Sequence, residues 1–152
     1  MRTRVKICGF TRREDVELAV ALGADAIGLN FHPPSPRCVE MALARELLDA
    51  TPPFVVSVGL VVDLEAARVA SLLESLPLAM LQFHGEEPDE HCAHHGRPFL
   101  KVLRMRADLD VGAALDAWPS ASGFLLDAYR PGVPGGTGET FDWSRIPATP
   151  PR

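Results

Sequence analysis

Short apolar runs alternate along the chain with segments whose apolar residues recur every three or four positions, and Gly, Pro or a capping residue marks each change of rhythm. The runs RVKIC (4–8), DAIGLNF (25–31), PFVVSVGLVV (53–62), LAMLQFH (78–84), FLKVLRM (99–105) and GFLLDA (123–128) predict six strands. Helical patterns fill the gaps. The first runs to Leu22 and is closed by Gly23, with Thr11 and Glu14 spaced as a capping box at its start. MALARELLDA (41–50) follows, then LEAARVASLLESL (64–76) behind a cap at Asp63. PDEHCAHHG (88–96) has Pro88 at its first helical position, and DLDVGAALDAW (108–118) is the last of the series. A loop rich in Gly and Pro then leads to FDWSRI (141–146).

The central strand residues Val5, Ile27, Val55, Leu81, Val102 and Leu125 stand 21 to 28 residues apart, the length of a βα unit. Such a series makes a parallel sheet, either open and doubly wound or closed into a barrel. Uniform units and polar residues at alternate strand positions favour the barrel, because a doubly wound sheet is apolar on both faces. Arg4, Lys6 and Cys8 share one face of the first strand, with Lys6 directed inward; Val5 and Ile7 share the other, expected beneath the helices. Gln82 and Lys101 read as inward in the same way.

One domain over 1–152 is expected from the length, with 47% hydrophobic and 23% charged residues. A formal net charge of -5 without a dense Lys/Arg stripe argues against nucleic acid and membrane surfaces as partners. Three cysteines, Cys8, Cys38 and Cys92, lack CxxC spacing, and the N-terminus has no signal-peptide pattern, so a reducing cytoplasm is expected. The longest apolar stretch, PPFVVSVGLVV, is far shorter than the roughly 20 residues needed to cross a bilayer.

In either parallel architecture chemistry sits at the carboxyl ends of the strands. That rule selects Cys8 after strand one, Arg37 in the loop after strand two, His84 after strand four and Asp127 at the end of strand six. A thiol, a guanidinium, an imidazole and a carboxylate would ring one mouth.

The pieces KICG at Lys6, GADAIGLNF at Gly23 leading into SPR at Ser35, QFHGEE at Gln82, LLDA at Leu125 and GGTGETFDW at Gly135 together resemble the phosphoribosylanthranilate isomerases of tryptophan biosynthesis. The resemblance spans the chain as far as Trp143 and implies a cytoplasmic, cofactor-free (β/α)₈ barrel of the TIM type. It implies an Amadori rearrangement of N-(5-phosphoribosyl)anthranilate, with Asp127 as general acid, Cys8 as general base and Arg37 holding the anthranilate carboxylate. Free carboxyl groups titrate near 3.9 and free thiols near 8.5, so the two roles call for opposite shifts; Lys6 is a local source of positive potential for Cys8. His84 is a pocket-wall residue with no assigned step, and Gly135 and Gly136 fall in a flap over the substrate, since GGTG fits neither GxGxxG nor a P-loop.

The HCAHH run places His91 and His95 four apart with Cys92 and His94 nearby, tolerable metal-ligand spacing, but on the outer helix after strand four; no native metal site is expected. The family pattern stops near Trp143, with about six of the eight βα units present and no residue to nominate for phosphate. Strands one and six would then be free edges, so a weak or inactive chain is expected, open to self-association through those edges. The alternative is a non-catalytic half-barrel that binds or assembles with another chain. A different phosphosugar barrel ranks below both: an epimerase would need a metal or paired carboxylates, an aldolase a strand-end lysine, and Lys101 lies mid-strand.

Overall fold

The computed structural model describes residues 2–129 and 140–147. Strands β1 (Lys6–Cys8), β2 (Ala26–Asn30), β3 (Val56–Val61), β4 (Met80–Phe83), β5 (Phe99–Met105) and β6 (Gly123–Ala128) form one sheet in the order β1-β2-β3-β4-β5-β6. Every pair in it is parallel. A doubly wound sheet reverses its order at a switch point; here each strand lies beside its neighbour in the chain throughout. Helices α1 (Arg13–Ala21), α2 (Met41–Asp49), α3 (Ala66–Ser75), α4 (Asp89–Ala93) and α5 (Val111–Asp116) alternate with the strands, giving a parallel half-barrel of the (β/α)₈ type.

Alternation along each strand sorts the side chains onto two faces. Ile27, Leu29, Leu81, Phe83 and Phe99 meet Val16 of α1, Leu47 of α2, Val69 of α3 and Cys92 of α4 in the main core. Leu103 and Met105 carry the same face of β5 onto Val111 and Leu115 of α5. Each large side chain removed from water here contributes about 1.5–3 kcal/mol, so the helix side holds the sheet. The opposite, concave face carries Lys6, Cys8, Gln82, Arg104 and Asp127.

Five local expectations need correction. Arg12, itself extended, precedes α1 without a side-chain cap bond, so Thr11 lies one residue too early for its capping box with Glu14. Asp63 does not cap α3, whose preceding residue is Glu65; Asp63 takes φ 47° and gives its carboxylate to the Glu86 amide instead. Pro88 stands just before α4 and not at its first helical position. Val5 and Ile7 are 47% and 41% exposed, because β1 is an edge of the described sheet and is covered less than its neighbours. Lys101 is 1% exposed but belongs to the helix-facing set of β5, two residues from Phe99 and two from Leu103. Gly23, by contrast, follows α1 at φ 87°, the left-handed conformation in which glycine ends helices.

Candidate active site

Cys8 ends β1 half-buried on the concave face, and Gly28 of β2 lies opposite it in the register. A Cβ at position 28 would stand 2.5 Å from the Cys8 sulfur, so the thiol occupies space that only glycine leaves. Gly9 then turns the chain at φ 88°, with its amide donating to the Gly28 carbonyl at 2.8 Å. Arg37 lies across that turn. Its Nη1 donates to the Cys8 carbonyl at 3.1 Å, and a Cβ at Gly9 would come within 2.8 Å of the guanidinium. The loop that delivers Arg37 is held by Ser35, whose Oγ accepts from Asn30 Nδ2 at 2.9 Å and from the Arg37 amide at 3.2 Å.

Toward the other edge of the sheet, on the same face, His84 follows β4 and Asp127 sits in β6. His84 Nε2 lies 3.3 Å from Asp127 Oδ2, and both side chains are largely buried. Ion-pair distance is met, but the alignment of a hydrogen bond is not, and among the described residues Nε2 has no hydrogen-bond partner. Arg104, opposite Asp127 in the β5–β6 register, donates from Nη2 to the His84 carbonyl at 3.0 Å. Burial pushes the His84 imidazole below its ordinary titration range; the Asp127 carboxylate opposes this and the Arg104 cation adds to it. An imidazole held neutral beside a carboxyl group can accept or return a proton as that group changes state.

The geometry therefore brings together Cys8 with Arg37, and His84 with Asp127, at the carboxyl ends of the strands. Gly135 and Gly136 lie outside the described residues. Arg104 was not foreseen, although counting alternate positions back from it along β5 puts it on the mouth face. The His91 and His95 rings pack on Phe83 with centroids 6.0 and 6.2 Å away. Burial pushes the Cys92 thiol up to about 12, which opposes the thiolate a metal would need. Among the described residues no three His, Cys, Asp or Glu side chains converge as a metal site.

Fold and site define a parallel α/β-barrel type of protein with a thiol, a guanidinium, an imidazole and a carboxyl group at its strand ends. The family model described as N-(5'phosphoribosyl)anthranilate (PRA) isomerase matches residues 5–151. A Cellvibrio japonicus N-(5'-phosphoribosyl)anthranilate isomerase is 56% identical over 94% of this chain and 66% of its own length. The crystal structure of the Thermotoga maritima phosphoribosyl anthranilate isomerase superposes with a TM-score of 0.86 at 37% identity, over 95% of this chain and 70% of that one. A third relative, solved in complex with reduced 1-(o-carboxyphenylamino)-1-deoxyribulose 5-phosphate, gives 0.78 at 35% identity over 84% of this chain and 66% of that one. The chain belongs to the phosphoribosylanthranilate isomerase family, and it spans about two thirds of the length of these relatives.

Proposed function

We propose that this chain carries the family's reaction, the Amadori rearrangement of N-(5-phosphoribosyl)anthranilate to 1-(2-carboxyphenylamino)-1-deoxyribulose 5-phosphate. The observation that carries the reading is the pairing of Cys8 with Arg37 and of His84 with Asp127 on one rim. Asp127 gives its proton to the furanose ring oxygen while the C1–O bond breaks and the anthranilate nitrogen lone pair forms C=N. Cys8, acting as base, removes the proton on C2; the electrons of that C–H bond form C1=C2 while the C=N π pair returns to nitrogen, and the resulting enolamine ketonises as the C2 hydroxyl loses its proton and C1 gains one. Two groups on separate sides of the sugar suit these two transfers. Arg37 offers a planar fork to the anthranilate carboxylate, and His84 holds the Asp127 side of the sugar. The Lys101 ammonium is tied into a buried ion pair and is not the free strand-end amine an aldolase needs.

The domain is read as six βα units of the barrel. Its β1 and β6 edges fit pairing with another chain or a second copy, and fix the separation of Cys8 and Asp127 less firmly than a closed ring would. Turnover by residues 1–152 alone is therefore expected to be low, and to rise when a C-terminal segment of a relative is added in trans. The test follows the fluorescence loss of phosphoribosylanthranilate under both conditions, with Cys8→Ala and Asp127→Asn as controls. Recovered activity that both substitutions abolish supports the assignment; activity that survives either one overturns it. A small-molecule substrate is supported by the relative solved with a phosphosugar-anthranilate compound, and a cytoplasmic location is part of the same reading; no described helix is long and apolar enough to cross a membrane.

A further inference from the structure

We infer that the buried Lys101–Glu87 pair, with Asp63 and Trp118, positions His84 against Asp127 by fixing the 84–87 turn from the helix side of the sheet; the inference rests on the reading of the site given above. Lys101 and Glu87 are 1% and 4% exposed. Lys101 Nζ donates to Glu87 Oε2 at 2.7 Å and to the Gly85 carbonyl at 2.8 Å. Glu87 accepts the Gly85 amide at 3.0 Å on Oε2, and the Asp63 amide at 2.8 Å on Oε1. Asp63 Oδ1 accepts the Glu86 amide at 2.7 Å, and Trp118 Nε1 donates to the Glu87 carbonyl at 3.0 Å. The Trp118 ring also lies 5.0 Å from Lys101 Nζ, a cation–π contact.

Side chains from the end of β3, from β5 and from beyond α5 thus take the backbone groups of one three-residue stretch. His84 is the residue immediately before it. Its own amide is fixed to the Val61 carbonyl at 2.9 Å and its carbonyl to Arg104, and the turn holds the backbone that leaves the residue on its C-terminal side. No side chain fits at Gly85, where a Cβ would collide with the Asp63 carboxylate. A buried ion pair is a poor stabiliser compared with apolar residues of the same volume. What this pair does supply is a donor and an acceptor for the amide and the carbonyl of the same glycine. Lys101, Glu87, Asp63 and Trp118 are positioning residues and need not touch substrate.

The test uses residues 1–152 with two variants, Trp118→Phe, which leaves every charge in place, and the double variant Lys101→Met with Glu87→Gln, which removes both charges together. Urea midpoints report folding, and nuclear magnetic resonance of the imidazole follows the titration of His84. The charged groups acting on that ring are Asp127 on β6, Arg104 on β5 and Glu87 in the turn, while Glu86 lies 4.0 Å from the Arg104 guanidinium. Loosening the turn admits water, so the His84 titration is expected to rise toward the ordinary histidine value in both variants. Loss of the Glu87 charge alone would move it the other way, so the sign separates position from charge. Should the double variant fail to fold, Trp118→Phe decides. A His84 titration identical to the parent's in folded Trp118→Phe overturns the proposal. This measurement needs no substrate, so activity recovered in trans that survives Cys8→Ala or Asp127→Asn would sink the isomerase reading and leave the positioning result intact. In an active preparation both variants are expected to lower kcat by up to about a hundredfold, the scale of a 1 Å misplacement, with KM little changed.

Discussion

The two sides of the rim are built differently. Cys8 ends a three-residue edge strand and Arg37 reaches it from the loop after β2; they pack against two glycines and are joined by one hydrogen bond to a backbone carbonyl. His84 and Asp127 stand between β4 and β6, which flank the seven-residue β5, and are backed by a buried charged network. One side is fixed by the absence of side chains and the other by an excess of polar contacts.

If the two sides nevertheless share one reaction, removing either proton carrier costs the most. Asp127→Asn and Cys8→Ala are each expected to lower kcat by about 10² to 10⁴, with urea midpoints close to the parent's. A large loss in one and none in the other would break the symmetry of roles. Stability divides the sides next. Lys101→Met strands the Glu87 carboxylate in the core and is expected to cost about 3–5 kcal/mol, whereas Arg37→Met on the exposed side is expected to fall within about 0.5 kcal/mol. Equal shifts in urea midpoint would erase the contrast. Gly28→Ala sharpens it from the other direction. Crowding the Cys8 sulfur is expected to cost about 1–3 kcal/mol and to change the rate at which iodoacetamide alkylates Cys8, with the His84 titration unmoved.

The strands were legible because Gly and Pro punctuation is local: β5 and β6 fall on the residues that the apolar runs predict. The placement of Cys8, Arg37, His84 and Asp127 around the carboxyl ends of the strands was legible because it follows from the order of strands and loops in a parallel sheet. The facing of Lys101 was not. In a strand buried on both sides polarity no longer tells inside from outside, and the partner that decides the matter, Glu87, lies in the preceding turn. The need for glycine at 28 was equally hidden, since it follows from the β1–β2 register that sets Cys8 opposite. Asp63 looked like a cap by its spacing to the next helix, yet its bonds run to Glu86 and Glu87, more than twenty residues on. Each miss is a contact between elements that local pattern cannot encode.

Acid should separate the two sides once more, with the smallest effect. Burial holds His84 below its ordinary range, and burial together with His91 and His94 does the same to His95, which packs on Phe83 of β4. For both histidines the unfolded chain takes up protons first as pH falls. The stability they contribute is therefore complete above about 6.5, the ordinary value, and declines as pH drops from there through the lowered folded values. On the Cys8 side the controlling group is Asp25, whose carboxylate accepts the Val5 amide at 2.8 Å and pairs with Arg2 and Arg4. Hydrogen bonds from Arg2 and the Val5 amide, the largest influences, hold Asp25 far below the usual carboxylate range. Its contribution is present above about 3.9 and is lost only as pH falls below that. Hydrogen exchange, corrected for intrinsic rates, is thus expected to show the amides around β4 and α4 opening more readily between pH 7 and 5 while the Val5 amide stays protected. If Val5 opens first in that window, the edge strand is the weaker partner at every pH, and the division of the rim by its chemistry fails.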